Sequence, residues 1–529
     1  MADELTSGSV PPFYREVYDI VCPNQETKVD RDVFVRILMK SNLPKTTLSQ
    51  IWVAVDTKQG FLSRNGFYKA LALTALAQQG KPVNEKLLEN FADQELPRPS
   101  LGDLSELKTL TVQVRKEKNP SILGYSFRQL QDMDVVSVGV VPEKKGLLLK
   151  HVEYEVQSNF YKTTVMRRYN DFIALHEVLL QRFPYRMVPT PPPKKMMRVT
   201  REFIESRRRA LRRFLTMICR HPVFHESAIT KFFMTFQGSD MQHRIKDQFR
   251  GIPDEFMTSP LSATAKDLVP IDTQVQFANS RDQIRNLFES IYKLKNIVDN
   301  VTKRSAENSI DMLHFAKELN QLSGDSQPAS AWAMGTNDAW PTIKGGLKTI
   351  AVEFAALSDK HGQQASRCDN SVGERLALFL DMLQTYKDLC ERHEKGVLRD
   401  HQMALQKMAN IKKKKMSATL KGGDQQQVGV VEQLESRITE QASQIMTMEN
   451  RNLFSLHCLQ METQLIHANI PMISDTMQAY AETERQGYSE ILQVWQDIVP
   501  KALSLSKNNE NDCRSPSTSP LSSPTSLNS

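Results

Sequence analysis

The sequence predicts a multidomain chain. It reads as a helical N-terminal region, an α+β region built on a three-stranded antiparallel sheet, a long all-α region of three coiled-coil-like helices, and a disordered tail. Three observations predict this. The 529 residues exceed what one hydrophobic core ordinarily organises. Three alternating β-rich runs stand together between 135 and 166. From 262 to 505, apolar residues recur at 3-4 spacing in a stretch where proline is rare.

Composition narrows the class. Hydrophobic residues make up 40% and charged residues 24%, the balance of an ordinary folded protein. The net charge of +7 is mild but locally concentrated. Cys22, Cys219, Cys368, Cys390, Cys458 and Cys513 are far apart with no CxxC pair, so neither a disulfide framework nor a zinc knuckle is indicated and a reducing, cytosolic compartment is expected. The opening "MADELTSGSVPP" has no basic end before an apolar run, so it does not read as a signal peptide. The most apolar stretch, "ALALTALA" at 70–77, is too short to cross a bilayer.

The expected divisions run as follows: 11–92 helical, 93–132 a linker that includes "DQELPRPSLGDLS", 133–238 mixed, 239–261 a second linker, 262–505 helical, and 506–529 disordered by its Ser/Pro/Asn content. "TLTVQV" at 109–114 alternates like a strand but stays unassigned. In the mixed region "VVSVGVV", "LLLKHVEYEV" and "FYKTTVM" predict a three-stranded meander. Asn170 or Asp171 can cap the helix "DFIALHEVLLQRF". The proline run at 189–193 must be extended, because proline lacks an N–H and biases its predecessor away from helix. Helix resumes with "REFIESRRRALRRFLTMICRH", striped by Phe203, Leu211, Phe214, Leu215 and Ile218.

In the long helical region Ile284, Leu287, Ile291, Leu294, Val298 and Val301 carry the first stripe, with Met312, Phe315, Leu319 and Leu322 continuing it. Ile343, Leu347, Ile350, Phe354 and Leu357 begin a second, which goes on through Phe379, Met382, Tyr386 and Leu389. Ile466, Ile470, Ile473, Met477 and Tyr480 mark a third. Sustained heptads of this kind predict coiled-coil packing and, with so many seam residues, a homodimer. Pro471 is expected to kink the third helix.

Three basic clusters carry the chemistry: "RRYNDF" at 167–172, "PPPKK" at 191–195 and "ESRRRALRRF" at 205–214. An arginine fork binds phosphate oxygens in two bonds and so fixes orientation as well as charge. A tyrosine beside it offers a flat face to a ring. A lysine on a stiff proline segment adds a second phosphate contact, and an arginine on the next helix can reach hydroxyls. Together they describe a pocket for a polyphosphorylated ring.

These motifs resemble the PX domain, the phosphoinositide-binding module of sorting nexins, over 133–238. The resemblance implies that Arg168 holds the 3-phosphate, Tyr169 stacks under the inositol ring, Lys194 meets the 1-phosphate and Arg207 bonds the 4- and 5-hydroxyls, with Arg167 structural or peripheral. The proline loop lacks the usual glycine before its lysine, so Lys194 and Lys195 both stand as the phosphate contact. A PX domain followed by three long helices resembles the PX-BAR sorting nexins, which implies a curved-membrane-binding BAR dimer over 262–505. Lys412, Lys413, Lys414 and Lys415 then read either as a solvated helix end or as a membrane contact. "MQHRIKDQFRGIPDEF" at 241–256 reads as a candidate amphipathic helix at the interface.

The stretch "LPKTTLSQIWVAVDTKQGFLSRNGFYKALAL" resembles an EH domain, whose family binds Asn-Pro-Phe peptides. Trp52 stands at the position that supports peptide, and equally at a core position. The family's calcium ligands would lie along Asp56 to Gly66, but Lys58 replaces an acid and Gly66 replaces the bidentate glutamate, so no metal and no cofactor is expected.

The resemblance implies a non-enzymatic peripheral protein that reads phosphatidylinositol 3-phosphate on the cytosolic face of early endosomes and takes part in endosomal sorting and endosome-to-Golgi transport. The alternative is a scaffold with only non-specific anionic binding. A nucleic-acid partner is not expected, because "RRRALRR" has neither interleaved sheet aromatics nor a helix leading into a dimer seam. "GGLKT" at 345–349 lacks the glycine-lysine pair of a phosphate loop.

Overall fold

The computed structural model describes all residues except 1–9, 23–27, 56–60, 92–93, 103–106, 108–110, 116, 118, 142–151, 195–199, 325–338, 421–424 and 508–529, and the side chains of 339, 425–428 and 506–507. The chain divides into two compact units, residues 1–285 with 381–470, and residues 286–380 with 471–529.

The first unit begins with four helices, Pro12–Val21, Arg31–Met39, Lys45–Val55 and Arg64–Gln78. A two-stranded ribbon joins them: β1 (Lys28–Asp30) pairs antiparallel with β2 (Phe61–Ser63). Asp30 and Ser63 each end a strand and cap the helix that follows, accepting from the N–H groups of Asp32 and Gly66. Tyr14, Tyr18, Phe34, Phe67 and Leu71 fill this core.

The stretch 93–132, expected as a linker, instead packs. Leu96, Leu101, Leu107 and Val114 enter the N-terminal core, and the Tyr14 hydroxyl donates to Pro97 O at 2.7 Å. Residues 111–115 are helical rather than strand-like, with Thr111 Oγ1 donating to Leu107 O at 2.9 Å. The polar composition hid a segment anchored by a few apolar contacts.

The α+β region is built as expected. Strands β3 (Val136–Val140), β4 (Glu153–Ser158) and β5 (Thr163–Arg168) form an antiparallel sheet in the order β3-β4-β5, with Glu153 opposite Arg168. The part of the second predicted strand at 147–151 lies outside the described residues. Helices Tyr169–Arg182, Arg201–Cys219 and Ala228–Thr235 cover the sheet around Tyr154, Phe172, Phe214 and Phe233.

The second expected linker, 239–261, is also structured, which corrects the reading of 241–256 as an interfacial helix. In helix Met241–Gln248, Met241 and Ile245 join the α+β core, as does Phe249 just beyond it. Their apolar face is spent on folding and none is left for a bilayer.

Three long helical tracts complete the chain. Helix Thr273–Ser323 spans 51 residues, about 75 Å at 1.5 Å per residue. Helices Ala339–Cys368, Glu374–Arg392 and Arg399–Leu420 run on from one another through two π segments, Asp369–Gly373 and His393–Leu398. Each π turn adds residues to the helical repeat and re-aims the stripe that follows. The third tract is divided: helix Gln425–Asn469 ends, and Pro471 opens helix Pro471–Lys507 at its first position. There the missing N–H costs nothing, so the proline breaks the tract where a kink was expected. Expected seam residues Ile470 and Met477 are consequently exposed, and the buried positions are Met472, Thr476 and Thr483. The predicted disordered tail lies outside the described residues from 508.

In the second unit Leu357, Val494 and Ile498 pack with Met312, Phe354 and Ile491. Arg367 and Lys360 both reach Glu490, at 3.2 and 3.4 Å. No described helix is long and apolar enough to cross a membrane.

Candidate phosphoinositide site

Strand alternation separates the two arginines of "RRYNDF". Along β5, Val165 and Arg167 face in while Met166 and Arg168 face out. Arg167 is buried. Its guanidinium donates to the carbonyls of Phe233 and Phe236, the latter at 2.6 Å, and to Met166 O at 2.8 Å. It ties up the C-terminal carbonyls of helix Ala228–Thr235, and burial pushes its pKa down to about 10. Arg167 is therefore a structural cation.

Arg168 ends the strand with its side chain about half exposed. Its backbone N–H donates to the Asp171 carboxylate at 2.7 Å, which closes the first turn of helix Tyr169–Arg182. Its Nε donates to Glu153 at 3.1 Å. The Glu153 carboxylate thus orients the guanidinium from the neighbouring strand. A cavity of about 730 Å³ opens beside it, walled by Glu153, Asn170, Asp171 and the chain from 237 to 242.

Tyr169 is the first residue of that helix, and its hydroxyl donates to Pro192 O at 2.6 Å. His176 Nδ1 lies 2.8 Å from Pro189 O. These two contacts pin the extended proline segment at both ends, and Lys194 follows two residues after Pro192. Lys195 lies outside the described residues.

Arg207 approaches from helix Arg201–Cys219. Its guanidinium carbon lies 4.5 Å over the Tyr169 ring and 4.4 Å over the Phe203 ring. Its Nε is buried without a hydrogen-bond partner, as is the Tyr154 hydroxyl. Burial raises the Tyr154 pKa, against the opposing influence of the Arg207 cation.

The remaining arginines of "RRRALRR" are divided among other tasks. Arg208 and Arg209 pair with Glu205, whose carboxyl Arg208 holds down to about 2. Arg208 also donates to Val138 O at 2.9 Å, and Arg213 pairs with Asp381 at 2.6 Å. Of the sequence-predicted residues, the fold thus gathers Tyr169, Arg207 and the segment bearing Lys194 around one ring, while the Arg168 side chain, next to Tyr169 in the chain, is held by Glu153 at the edge of a separate cavity. Sequence reasoning missed Glu153, Tyr154 and Phe203. Glu153 could have been found from the register that places β4 against the end of β5.

This site is fixed to the helical tract by a buried charge network. Arg186 makes a fork to Glu255, at 2.7 and 2.9 Å, and contacts Glu462 at 3.3 Å. His221 Nε2 lies 2.9 Å from Glu462. Burial alone would raise the Glu462 pKa, but His221 and Arg186 hold it below the usual carboxylate range. No sequence pattern pointed to this cluster.

The other two candidate sites are separate. Trp52 is partly buried against the N-terminal core, 5.5 Å from the Phe34 ring and with Arg31 5.2 Å over its face. Asp56 and Lys58 lie outside the described residues, while Gly66 sits in the capped first turn of helix Arg64–Gln78. Lys412, Lys413 and Lys414 are exposed on helix Arg399–Leu420, and Lys415 pairs with Glu435 at 2.5 Å.

Family models match along the chain in the same order. An EH domain matches residues 12–99, a PX domain residues 155–237, and the "Sorting nexin 8/Mvp1 BAR domain" residues 251–506. The chain is 50% identical to mouse "Sorting nexin-8" over 383 residues, 72% of this chain and 83% of that protein. The chain belongs to the sorting nexin family. The human "Sorting nexin-8" is 49% identical over 72% of this chain and 82% of its own. Among solved structures, "The cryo-EM structure of the SNX-BAR Mvp1 tetramer" matches with a TM-score of 0.54 and 22% identity, over 69% of this chain and 99% of that one. At that identity the likeness shows the fold. The α+β region is a PX domain, and it extends beyond its family match: β3 starts at Val136 and Phe249 closes the core. The long tracts form the BAR region of a PX-BAR sorting nexin.

Proposed function

We propose that this sorting nexin reads phosphatidylinositol 3-phosphate through Arg168, Tyr169, Lys194 and Arg207. The observation that carries the reading is the convergence of the Arg207 cation and the proline segment that leads to Lys194 on Tyr169, at 4.5 Å from the ring and 2.6 Å from hydroxyl to Pro192 O, directly beside Arg168 in the chain. Arg168, oriented by Glu153, takes the 3-phosphate. Lys194 takes the 1-phosphate that joins the headgroup to the lipid. Arg207 takes the ring hydroxyls and in doing so finds partners for its buried Nε. The role is binding, not catalysis.

The protein acts as a dimer. Helix Pro471–Lys507 carries two apolar stripes. Ile491, Val494 and Ile498 pack inside their own unit, while Tyr488, Leu492, Trp495, Val499 and Leu503, at 4-3-4-4 spacing, are exposed. Ile297, Ile310, Leu313 and Leu322 are likewise exposed on helix Thr273–Ser323. The exposed heptad face of helix Pro471–Lys507 fits a second copy of the chain. Two PX pockets on one dimer raise avidity by ~10²–10⁴ without a new contact. The lysines at 412–414 add a salt-sensitive attraction to anionic lipid. On this reading the protein works on the cytosolic face of early endosomes, in sorting towards the Golgi. The EH domain works without calcium and offers Trp52 to Asn-Pro-Phe peptides.

The test is flotation of the full chain on vesicles that each carry a different phosphoinositide. Selective capture by phosphatidylinositol 3-phosphate supports the reading. Equal capture by every anionic vesicle would reduce the protein to a non-specific anionic scaffold.

A further inference from the structure

Helix Arg399–Leu420 presents two different faces. Ala404, Met408 and Ile411 are buried; Gln441 donates to Ala404 O at 3.3 Å, and Lys415 reaches Glu435. That face belongs to the packing against helix Gln425–Asn469. Roughly 100° around the helix lie Leu405, Lys412, Met416 and Leu420, at 7-4-4 spacing. Leu405 is 46% exposed, Met416 67% and Leu420 78%. Lys413 flanks this stripe and is exposed. From 401 to 420 the helix carries five lysines and no acidic residue.

Large apolar side chains exposed in a row on a helix that already has a packed face do nothing for the folding of this chain. We infer that this face is a bilayer-insertion wedge: Met416 and Leu420 enter the acyl boundary of an anionic membrane while Lys412 and Lys413 hold lipid phosphates. The spacing suits that division of labour. Lysine stems extend along apolar surface and lift their charges to the headgroup level, so lysines beside Met and Leu can work at one depth. A second copy of this stripe is excluded as the occupant by charge, because antiparallel or parallel pairing would set lysines against lysines with no acid between them. The inference rests on the proposed membrane binding and deepens it: lysines alone would hold the protein on the surface, whereas a wedge adds area to one leaflet.

The test uses Met416→Cys in a chain that also carries Cys513→Ser, labelled with an environment-sensitive fluorophore. The other five cysteines are buried. Vesicles contain phosphatidylcholine, phosphatidylserine and phosphatidylinositol 3-phosphate. The expected result is a blue shift on vesicle addition and quenching by lipids that carry a nitroxide high on the acyl chain. In the otherwise natural chain, the double substitution Met416→Ser/Leu420→Ser should weaken flotation on these vesicles about tenfold or more, while binding of soluble inositol 1,3-bisphosphate is unchanged. A label that stays in water on protein that floats would overturn the wedge and leave lipid recognition by the PX domain standing. A blue shift without vesicles, growing with protein concentration, would assign the stripe to a protein interface and overturn the wedge. Failure of the unsubstituted chain to float on any of these vesicles would overturn the membrane reading and the wedge with it.

Discussion

The Arg207 guanidinium lies 4.5 Å over the Tyr169 ring, and the Tyr169 hydroxyl in turn holds Pro192 O at 2.6 Å. One side chain thus connects the helix that carries Arg207 to the segment that leads to Lys194. It also means that, in this structure, the ring face assigned to inositol is covered by a cation. A sugar ring that binds there must displace Arg207 toward its own hydroxyls, or take the opposite face.

Tyr169→Phe keeps the ring and deletes the pin on the proline segment. Losing one hydrogen bond costs about 1 kcal/mol, so affinity for phosphatidylinositol 3-phosphate should fall several-fold with the melting temperature nearly unchanged. Titration of the variant on immobilised vesicles measures it. An unchanged affinity would show that the proline segment needs no such anchor.

Neighbouring arginines should behave oppositely. Arg167→Ala strands the buried carbonyls of Phe233 and Phe236, and a lost buried network of this kind costs on the order of 3 kcal/mol. Thermal melts should show a large drop for Arg167→Ala and almost none for Arg168→Ala, whose side chain is about half exposed. Equal melts for the two would contradict the strand alternation.

Acid should loosen the helical tract. Burial pushes both His393 and His457 down to about 4, against an ordinary value near 6.5. Between these values the unfolded chain binds more protons than the folded one, so stability is full above about pH 6.5 and falls as pH drops toward 4. Each histidine contributes on the order of 3 kcal/mol to that fall. Melting temperatures from pH 7 to 4.5 should decline, and His393→Gln should flatten the decline. An identical pH profile in the variant would contradict a buried neutral imidazole.

Dimerisation should depend on the outer stripe. Leu492→Asp with Ile297→Asp puts charge on positions that are exposed within the chain, so the fold should survive while light scattering reports a monomer. Ile291, although on the predicted seam, is buried within the single chain, and its replacement would test folding instead. A persistent dimer in the double variant would move the interface elsewhere.

Much of this was legible in the sequence because it is local. The Arg168–Tyr169 pair, the proline run and Arg207 each sit within a short motif, and the alternating runs determine which strand face each arginine takes. What stayed hidden depends on distant partners. Glu153 reaches Arg168 only through strand register, and Glu462 meets Arg186 and His221 across more than 240 residues of chain. Polarity marked 93–132 and 239–261 as linkers, yet Leu101, Val114, Met241 and Ile245 are core residues. The Tyr488–Leu503 stripe escaped notice because it shares a helix with a buried stripe about one residue out of phase. Pro471 was placed correctly but given a kink, since sequence alone does not say whether a proline falls inside a helix or at its first position.

The most direct measurement is the affinity of the full chain and of Arg168→Ala for vesicles containing phosphatidylinositol 3-phosphate, against vesicles matched in charge by phosphatidylserine. The predicted result is a marked preference for the phosphoinositide in the natural chain, with the variant reduced to the phosphatidylserine level and melting at the same temperature. If Arg168→Ala keeps the preference while remaining folded, the 3-phosphate is not held by Arg168, and the site built around Tyr169 is not the one that reads the lipid.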